Sequence, residues 1–257
     1  MISSTTNERI KWIRALQARK RARRDAGAFV LEGKRMAQEV IQAAAPVHLI
    51  LHAEDLTAEE QSLVNSLAKL GGEVLAATQR VIRVCSDTES PQRILLALPI
   101  PNLALHHPLE FALVLDRIGD PGNLGAILRT AQAVGVHAVF LTQGSVDPYN
   151  PKVVRAAMGA HLHLPLRVLP EDEILGCLDG LPIRVAQARQ GIPYHQIDWT
   201  EPTALVVGSE SHGPSEVWSE PAMQAVHIPM PGGFESLNAA IATAVLLFEI
   251  VRQREVG

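Results

Sequence analysis

The sequence contains 257 residues, 47% of them hydrophobic and 19% charged, which is typical of a soluble chain with two modest domains. No apolar run reaches the roughly 18 to 20 residues that a membrane-spanning helix requires, and the N-terminus lacks the apolar core of a signal peptide. Two isolated cysteines, and histidines without ligand spacing, argue against a metal site. We therefore expect a cytoplasmic protein that uses neither a membrane nor a metal.

The net charge of −4 conceals a strongly basic N-terminal segment. Residues 7–35 contain ten Lys and Arg residues and three acidic residues, so this segment carries +7 and the rest of the chain −11. A cluster of cations near one end is typical of a nucleic-acid contact, although a solvated helix face would produce the same pattern. The candidate residues for such a contact are Arg19, Lys20, Arg21, Arg23 and Arg24.

Residues 1–98 predict a small α/β domain. Residues 7–26 predict one basic helix with an apolar stripe on one face. The stripe consists of Ile10, Ile13 and Leu16. Thr57 and Glu60 predict a capping box at the start of a later helix. The other predicted elements are strands at 29–31, 47–51, 73–77 and 93–98 and a helix at 34–45.

A proline-rich stretch without periodicity, residues 99–108, is the predicted linker. The second domain, residues 109–257, opens with a continuous apolar run that is typical of a parallel strand covered on both faces. Strands and helices then alternate, which predicts an α/β fold with a mainly parallel sheet. The predicted strands are 111–115, 138–141, 162–165, 183–186, 204–207 and 225–228, and the predicted helices are 124–133, 153–159 and 171–178.

The last third of the chain places polar residues at the ends of two predicted strands and at a helix N-terminus. One strand ends at Gly208, and the next ends in the Pro- and Gly-rich turn 229–233. Open α/β sheets bind ligands outside the carboxyl ends of their strands, so a ligand site is predicted here. The helix from Ser236 is apolar on nearly every face until Glu249. We expect this helix to be buried on all sides, between the sheet and a second subunit.

Two nucleotide-binding motifs are excluded, one by the spacing of its glycines and one by a missing lysine. Residues 119–125 contain three glycines but not the G-x-G-x-x-G pattern of a dinucleotide site. Residues 208–215 resemble a phosphate-binding loop, but Pro214 stands where such a loop needs Lys. His212 is interpreted as a polar turn residue rather than a base. Arg129 lies among apolar residues of a predicted helix, so we expect it to have an anionic partner, with a solvent-facing position as the alternative.

Three segments together resemble the SpoU family of RNA ribose 2′-O-methyltransferases, within the SPOUT superfamily. The segment DRIGDPGNLGAILR carries the pattern N-x-G-x-x-x-R, VVGSESHG carries G-x-E-x-x-G, and IPMPGGFESLNAAIA carries I-P-M and S-L-N. Before the linker, FVLEGKR and TESPQRILLALP resemble the substrate-binding domain often fused to these enzymes. The resemblance spans nearly the whole chain. Its departures, at Arg93, Ala157 and Ser211, fall on none of the implied catalytic residues.

The resemblance implies a particular architecture. The C-terminal domain would contain a deep trefoil knot, in which the end of the chain threads through a loop, a topology that periodicity alone would not suggest. The smaller N-terminal α/β domain would be L30e-like and would bind the substrate. The family also implies a homodimer whose RNA site is shared between subunits.

The resemblance further implies the chemistry and the residues. The cofactor would be S-adenosyl-L-methionine, and the reaction would methylate a ribose 2′-oxygen of RNA, with ribosomal RNA preferred and tRNA possible. The implied cofactor-binding residues are Gly208, Ile228, Met230, Leu237 and Asn238. The implied catalytic residues are Asn123, Arg129, Glu210, Ser236 and Asn238. The basic cluster from Arg19 to Arg24 would bind RNA. Arg129 would act as the base or position the substrate, and positioning fits a guanidinium better because it is not readily deprotonated.

Two other classes of function remain open on the sequence. A knotted RNA-binding protein without catalysis would be expected to have damaged motif residues, whereas the five catalytic positions here are intact. A methyltransferase for proteins or small molecules would leave the basic helix unexplained.

Overall fold

The structure is a computed structural model that describes residues 1–209 and 211–256, the side chain of Val256 excepted. The chain divides into two compact units, residues 1–101 with 147–162, and residues 102–146 with the chain from His163 onward. The helices are α1 Glu8–Ala18, α2 Lys20–Ala26, α3 Lys34–Gln42, α4 Ala58–Ala68, α5 Gln79–Cys85, α6 Pro121–Ala133, α7 Pro151–Ala157, α8 Glu171–Cys177 and α9 Ala239–Val256. The strands are β1 Ala28–Glu32, β2 Leu49–Ala53, β3 Glu73–Ala77, β4 Ile94–Pro99, β5 Phe111–Asp116, β6 Ala138–Thr142, β7 Leu166–Leu169, β8 Ile183–Gln187, β9 Ile192–Pro193, β10 Thr203–Gly208 and β11 Gln224–His227.

The first unit is built on a mixed four-stranded sheet in the order β1-β4-β2-β3. The pairs β1–β4 and β2–β4 are antiparallel, and β2–β3 is parallel. The predicted stripe of α1 is confirmed, because its three apolar residues are buried in the core. The capping box of α4 is also confirmed: Thr57 accepts from the Glu60 amide, and the Glu60 carboxylate accepts from the Thr57 amide.

The basic N-terminal segment forms two helices, so the prediction of one helix over residues 7–26 is wrong. The chain breaks at Arg19, whose backbone is extended at φ −131° and ψ 123°. The Arg19 amide donates to the Ala15 carbonyl and closes α1. The helix α2 then ends at Gly27, which adopts the left-handed conformation that glycine tolerates best, at φ 56°.

Residues 147–162 belong to the first unit, although the sequence assigns them to the C-terminal domain. Val154 and Leu162 pack into the apolar cluster around β1 and α3. Arg155 forms an ion pair with Asp87 at 2.7 Å between Nη1 and Oδ2. The apolar side chains of this segment complete a core formed early in the chain, and such long-range packing leaves no local signal in the sequence.

The second unit contains a seven-stranded sheet in the order β7-β6-β5-β10-β8-β11-β9. Every neighbouring pair in it is parallel. The predicted α/β fold with a mainly parallel sheet is therefore confirmed. The central strands β5 and β10 are buried along their whole length, which explains their continuous apolar sequences. Asp116 pairs in register with Gly208, so both residues lie at the carboxyl edge of the sheet.

Two further predictions for the C-terminal half are wrong. The sequence predicts a strand over 162–165, whereas a short 3₁₀ helix, Ala160–Leu162, precedes β7. The sequence also predicts that the last helix starts at Ser236, whereas α9 starts three residues later, at Ala239. In the single chain Ile241 is 55% exposed and Phe248 is 56% exposed, and the expected burial of this helix between the sheet and a second subunit stays a prediction. Among the helices described, none has the length and apolarity to cross a membrane.

Candidate active site

A cavity of about 560 Å³ opens at the carboxyl ends of β8, β10 and β11. This volume lies within the range of small-molecule sites, roughly 300 to 1,000 Å³. Apolar side chains such as Val207 and Leu246 form its walls, and Ser209 and Ser211 contribute hydroxyl groups. Five residues predicted for the site line this one cavity. They are Gly208, Ile228, Met230, Ser236 and Leu237.

Gly208 is glycine because the loop after β10 folds back onto it. A Cβ atom at this position would lie 2.1 Å from the Pro214 nitrogen and 2.2 Å from the Gly213 carbonyl carbon. The Gly213 amide donates to the Ser209 carbonyl at 2.8 Å and holds the loop in this position. The close approach that Gly208 permits is thus to its own loop, which forms one wall of the cavity.

The buried carboxylate of Asp116 also holds the loop that follows β10 in place. Its Oδ1 accepts a hydrogen bond from Thr142 Oγ1 at 2.8 Å, and its Oδ2 accepts from the Ser215 amide at 2.6 Å. Asp116 and Thr142 are both fully buried. Hydrogen bonds to a charged group contribute roughly 1.5 to 3 kcal/mol each. The network therefore ties the loop after β10 to the ends of β5 and β6.

Asn123 and Asn238 join two of the three motifs. Asn238 Nδ2 donates to Asn123 Oδ1 at 2.9 Å. Asn238 also caps α9, because its Oδ1 accepts from the amides of Ala240 at 3.0 Å and Ile241 at 3.3 Å. Asn123 lies in the first turn of α6, where its amide donates to the N-cap residue Asp120 at 2.7 Å. The first turns of α6 and α9 are therefore held together by a direct amide–amide contact.

Arg129 does not line the cavity of its own chain. It is exposed on α6, the helix that packs beside α9. Its exposed position agrees with the solvent-facing alternative, and the expected anionic partner stays a prediction, because no carboxylate within residues 1–209 and 211–256 pairs with it. The remaining catalytic candidate, Glu210, lies outside the described residues.

The basic cluster separates into exposed and buried cations. Arg23 is 4% exposed, and its guanidinium donates to Asp147 Oδ2 at 2.6 and 2.8 Å and to the Leu16 carbonyl at 2.6 Å. Its assignment to RNA binding is therefore corrected: Arg23 is an internal residue of the first unit. The other four cations are exposed: Arg19, Lys20, Arg21 and Arg24.

Some residues of the cavity and its support are not singled out by the sequence analysis. The sequence could have indicated Asp116, because this carboxylate directly follows a predicted buried strand and opens the first motif. No pattern in the sequence indicates Arg189. This residue lines the cavity and forms an exposed ion pair with Glu235 at 3.8 Å. His212 lines the cavity within the turn, where its amide donates to Ser209 Oγ at 3.3 Å. Within the described chain no three His, Cys, Asp or Glu side chains are grouped to hold a metal ion.

The cavity suits a nucleoside cofactor with a polar amino-acid end. Apolar contacts from Ile228, Leu237 and Leu246 can hold a planar base, while Ser209 and Ser236 offer hydroxyl groups. Pro214 in the wall leaves the loop without the lysine of a phosphate-binding site. The residues present therefore fit S-adenosylmethionine better than a nucleoside triphosphate.

Comparison with known proteins identifies the family of each part of the chain. Residues 110–248 match the SpoU rRNA Methylase family, and residues 7–96 match the MRM3-like substrate binding domain. The chain is 30% identical over 253 residues to the 23S rRNA (guanosine(2553)-2′-O)-methyltransferase RlmP of Bacillus subtilis, covering 97% of this chain and 98% of that protein.

Two solved structures are similar over almost the full length. The SpoU methyltransferase AviRb from Streptomyces viridochromogenes, in complex with the cofactor AdoMet, has a TM-score of 0.89 at 28% identity, covering 98% of this chain and 99% of that chain. The AdoMet-bound rRNA methyltransferase from Sinorhizobium meliloti has a TM-score of 0.88 at 28% identity, covering 98% of this chain and 97% of that chain. With its motifs, its cavity and these matches, the chain belongs to the SpoU rRNA methylase family and carries an MRM3-like substrate binding domain before the methylase domain.

Proposed function

We propose that this protein is an S-adenosylmethionine-dependent RNA 2′-O-ribose methyltransferase that acts on ribosomal RNA. The observation that carries the proposal is one cavity at the sheet edge, which is lined by residues of two separate motifs, Gly208 with Ile228, Met230, Ser236 and Leu237. A relative aligned over almost the whole chain is named a 23S rRNA 2′-O-methyltransferase. A family member of the same fold has been crystallised with AdoMet.

The main contribution of the protein to this reaction would be to position the two reactants. S-adenosylmethionine held in this cavity would supply an electrophilic methyl group to the ribose 2′-oxygen, with the thioether as the leaving group and the hydroxyl proton passing to solvent water. Holding the two reactants in line can contribute roughly 7 to 11 kcal/mol to the rate. Ser236 in the cavity, and Asn123 with Asn238 beside it, would orient the ribose. Glu210, which belongs to the second motif, would orient Arg129 or accept hydrogen bonds in the site.

Arg129 would hold the substrate rather than act as the base. A guanidinium stays protonated in proteins and presents its N–H groups in a planar fork. That fork matches the oxygens of an RNA phosphate and can bind them in a bidentate manner. The exposed position of Arg129 on α6 supports this role, because an incoming RNA strand can reach it.

We further propose a homodimer in which a second copy completes the site. The exposed Ile241 and Phe248 lie seven residues apart on one face of α9, which an apolar partner surface would cover. Arg129 lies on the neighbouring helix and outside the cavity of its own chain. Arg129 of one subunit would then hold the RNA strand at the cofactor cavity of the other.

A complementation experiment tests the shared site. Arg129→Ala and Gly208→Ala proteins are each expected to be nearly inactive. If the site is shared, mixed dimers contain one site with an intact cofactor loop from one chain and an intact arginine from the other, so activity returns on subunit exchange. Mixtures that stay inactive, although exchange is verified, would place Arg129 and the cofactor in the same chain.

The family architecture supplies three more proposals. The C-terminal end of the chain would thread through a loop as a trefoil knot; the contact of Asn238 with Asn123 supports this, because it brings the last helix against the first motif. The N-terminal unit would bind RNA through Arg19, Lys20, Arg21 and Arg24, whose exposed charges can contact phosphates. The enzyme would act in the cytoplasm.

The direct test is methyl transfer from labelled S-adenosylmethionine to RNA from cells that lack this enzyme. We expect label in ribosomal RNA at an alkali-resistant, 2′-O-methylated linkage. Label in tRNA alone would change the substrate and keep the chemistry. Binding of RNA without cofactor binding or transfer would replace the proposal by the alternative of a non-catalytic RNA-binding protein.

A further inference from the structure

Phe234 is the most conspicuous apolar side chain at the mouth of the cavity. Phe234 is 77% exposed, and it is one of only five phenylalanines in the chain. It lies in an exposed loop directly after Gly233, which has a left-handed backbone at φ 78°. Exposing a phenyl ring to water is unfavourable, and Phe234 is not among the buried apolar residues of the described core.

The ring lies next to the cofactor cavity. Phe234 directly precedes Glu235, Ser236 and Leu237, which line the cavity. It contributes to an open groove of about 590 Å³, whose wall includes residues that also line the cavity. These shared residues are Ala188, Arg189, Ile228 and Met230. A molecule lying on Phe234 would therefore be adjacent to the cofactor.

The groove also presents a positively charged side chain, which can contact RNA phosphates. Arg189 is 63% exposed, and its only ion pair among the described residues, with Glu235, is long at 3.8 Å and open to solvent. His227 lies on the same wall, and its Nδ1 is 3.1 Å from the Gly191 carbonyl oxygen. An aromatic face beside a planar cation is the combination by which proteins bind unpaired nucleotides, through base stacking and phosphate contacts.

We propose that Phe234 is the stacking platform for an unpaired base of the RNA substrate, with Arg189 on the adjoining phosphate. The inference rests on the proposed RNA methyltransferase function and adds a substrate-binding residue to it. An RNA whose target nucleotide is unstacked and flanked by single-stranded nucleotides fits this groove, whereas a continuous duplex does not. Phe234 is thus a specificity-determining residue that acts on the RNA and not on the cofactor.

Three variants at one position separate stacking from simple apolar contact. Phe234→Ala removes the ring, Phe234→Leu keeps an apolar side chain without an aromatic face, and Phe234→Tyr keeps the face. We expect Ala and Leu to raise the KM for ribosomal RNA from cells lacking the enzyme by about fivefold or more. Tyr should remain within about twofold of the wild type, and all three should bind S-adenosylmethionine with unchanged affinity.

A second readout does not depend on methyl transfer. A single-stranded oligoribonucleotide carrying 2-aminopurine should lose fluorescence when its base stacks on the wild-type protein and on Phe234→Tyr, but not on Phe234→Ala or Phe234→Leu. Arg189→Ala should weaken binding of the same oligonucleotide and lower its salt dependence by about one ion, while Arg189→Lys should restore both.

The outcomes also distinguish this inference from the proposed function. If the wild type methylates RNA and all Phe234 variants match it, the inference is wrong and the function stands. If stacking is seen without any methyl transfer, the groove binds bases and the proposed function fails. Wild-type behaviour of Phe234→Leu, loss of cofactor affinity in Phe234→Ala, or dissociation of a dimer by that variant would each assign the ring to another contact and overturn the inference.

Discussion

The two regions from which a function was predicted, the basic segment from Arg19 to Arg24 and the loops at the carboxyl edge of the sheet, are organised in opposite ways. The basic segment is continuous in sequence, but the structure divides it, because Arg23 is buried against Asp147 while its neighbours face solvent. The loops at the sheet edge are far apart in sequence, but the structure gathers them around one cavity.

The comparison shows that a cluster of similar residues in sequence is weak evidence for a common role. A helix turns its side chains in all directions, so one cation of five adjacent ones can point into the core. Strand ends behave differently, because parallel strands all deliver their carboxyl ends to the same edge. Function is therefore better inferred from polar residues at several strand ends than from a single charged run.

The largest expected effect is on the buried cation. Arg23→Ala leaves the largely buried Asp147 without its cationic partner and should lower the free energy of unfolding by about 3 to 5 kcal/mol. Arg24→Ala, at an exposed neighbour, should change it by less than about 0.5 kcal/mol. Chemical denaturation of both variants measures the difference. A stable Arg23→Ala protein with a selective loss of RNA affinity would return Arg23 to the RNA-binding surface.

The next largest effect is expected at the sheet edge, where Gly208 allows the loop after β10 to pack closely. Gly208→Ala places a Cβ against the backbone of residues 213 and 214, and the resulting overpacking should cost about 1 to 3 kcal/mol. Because that loop forms a wall of the cavity, calorimetry should show at least a tenfold loss of S-adenosylmethionine affinity. Gly232→Ala is the matched control, since a Cβ there would meet no atom within 4 Å. Equal cofactor affinity in both variants would contradict the assigned role of the loop.

A pH effect of similar size is expected from the interior of the first unit. Burial lowers the pKa of His161 to about 4, and only a hydrogen bond to the Pro148 carbonyl and the nearby Asp147 oppose this shift. The unfolded chain binds the proton at its ordinary pKa near 6.5. The folded state is thus fully favoured above about pH 6.5 and loses stability as the pH falls toward 4, by about 2 kcal/mol at pH 5.

Denaturant titrations at pH 7.5 and pH 5 test this prediction. His161→Gln removes the titrating group and should reduce the pH dependence by the same amount, whatever its effect at neutral pH. A variant that keeps the full dependence would assign the titration to another group.

The smallest effect concerns the exposed cations. Arg19→Ala and Lys20→Ala should leave stability unchanged and weaken RNA binding modestly, each lowering the slope of log affinity against log salt by about one. Binding measured from low to physiological salt provides the slope. An unchanged slope in the double variant would make this face a solvated helix surface, the alternative left open by the sequence.

Local patterns predicted the local structure well and the long-range structure poorly. The capping box at Thr57 and the apolar run that forms β5 were correct, because a few adjacent residues determine each. The break at Arg19 and the membership of residues 147–162 in the first unit depend on distant partners, including the Arg23–Asp147 pair. No spacing rule encodes such partners.

The candidate site was predicted through motifs rather than geometry. Motif residues such as Ile228 and Leu237 do line the cavity, but their roles came from a family resemblance. The supporting carboxylate of Asp116 and the groove at Phe234 became visible only when the loops were placed in space. The position of Arg129 outside its own cavity likewise follows from the packing of α6 beside α9.

The measurement that tests the central claim most directly is a pair of constants for Arg129→Ala: its rate of methyl transfer to ribosomal RNA and its dissociation constant for S-adenosylmethionine. The account predicts that the rate falls more than tenfold while the dissociation constant is unchanged, because Arg129 holds the RNA and does not line the cofactor cavity of its own chain. Equal losses of rate and cofactor affinity would make Arg129 a structural residue and contradict the account.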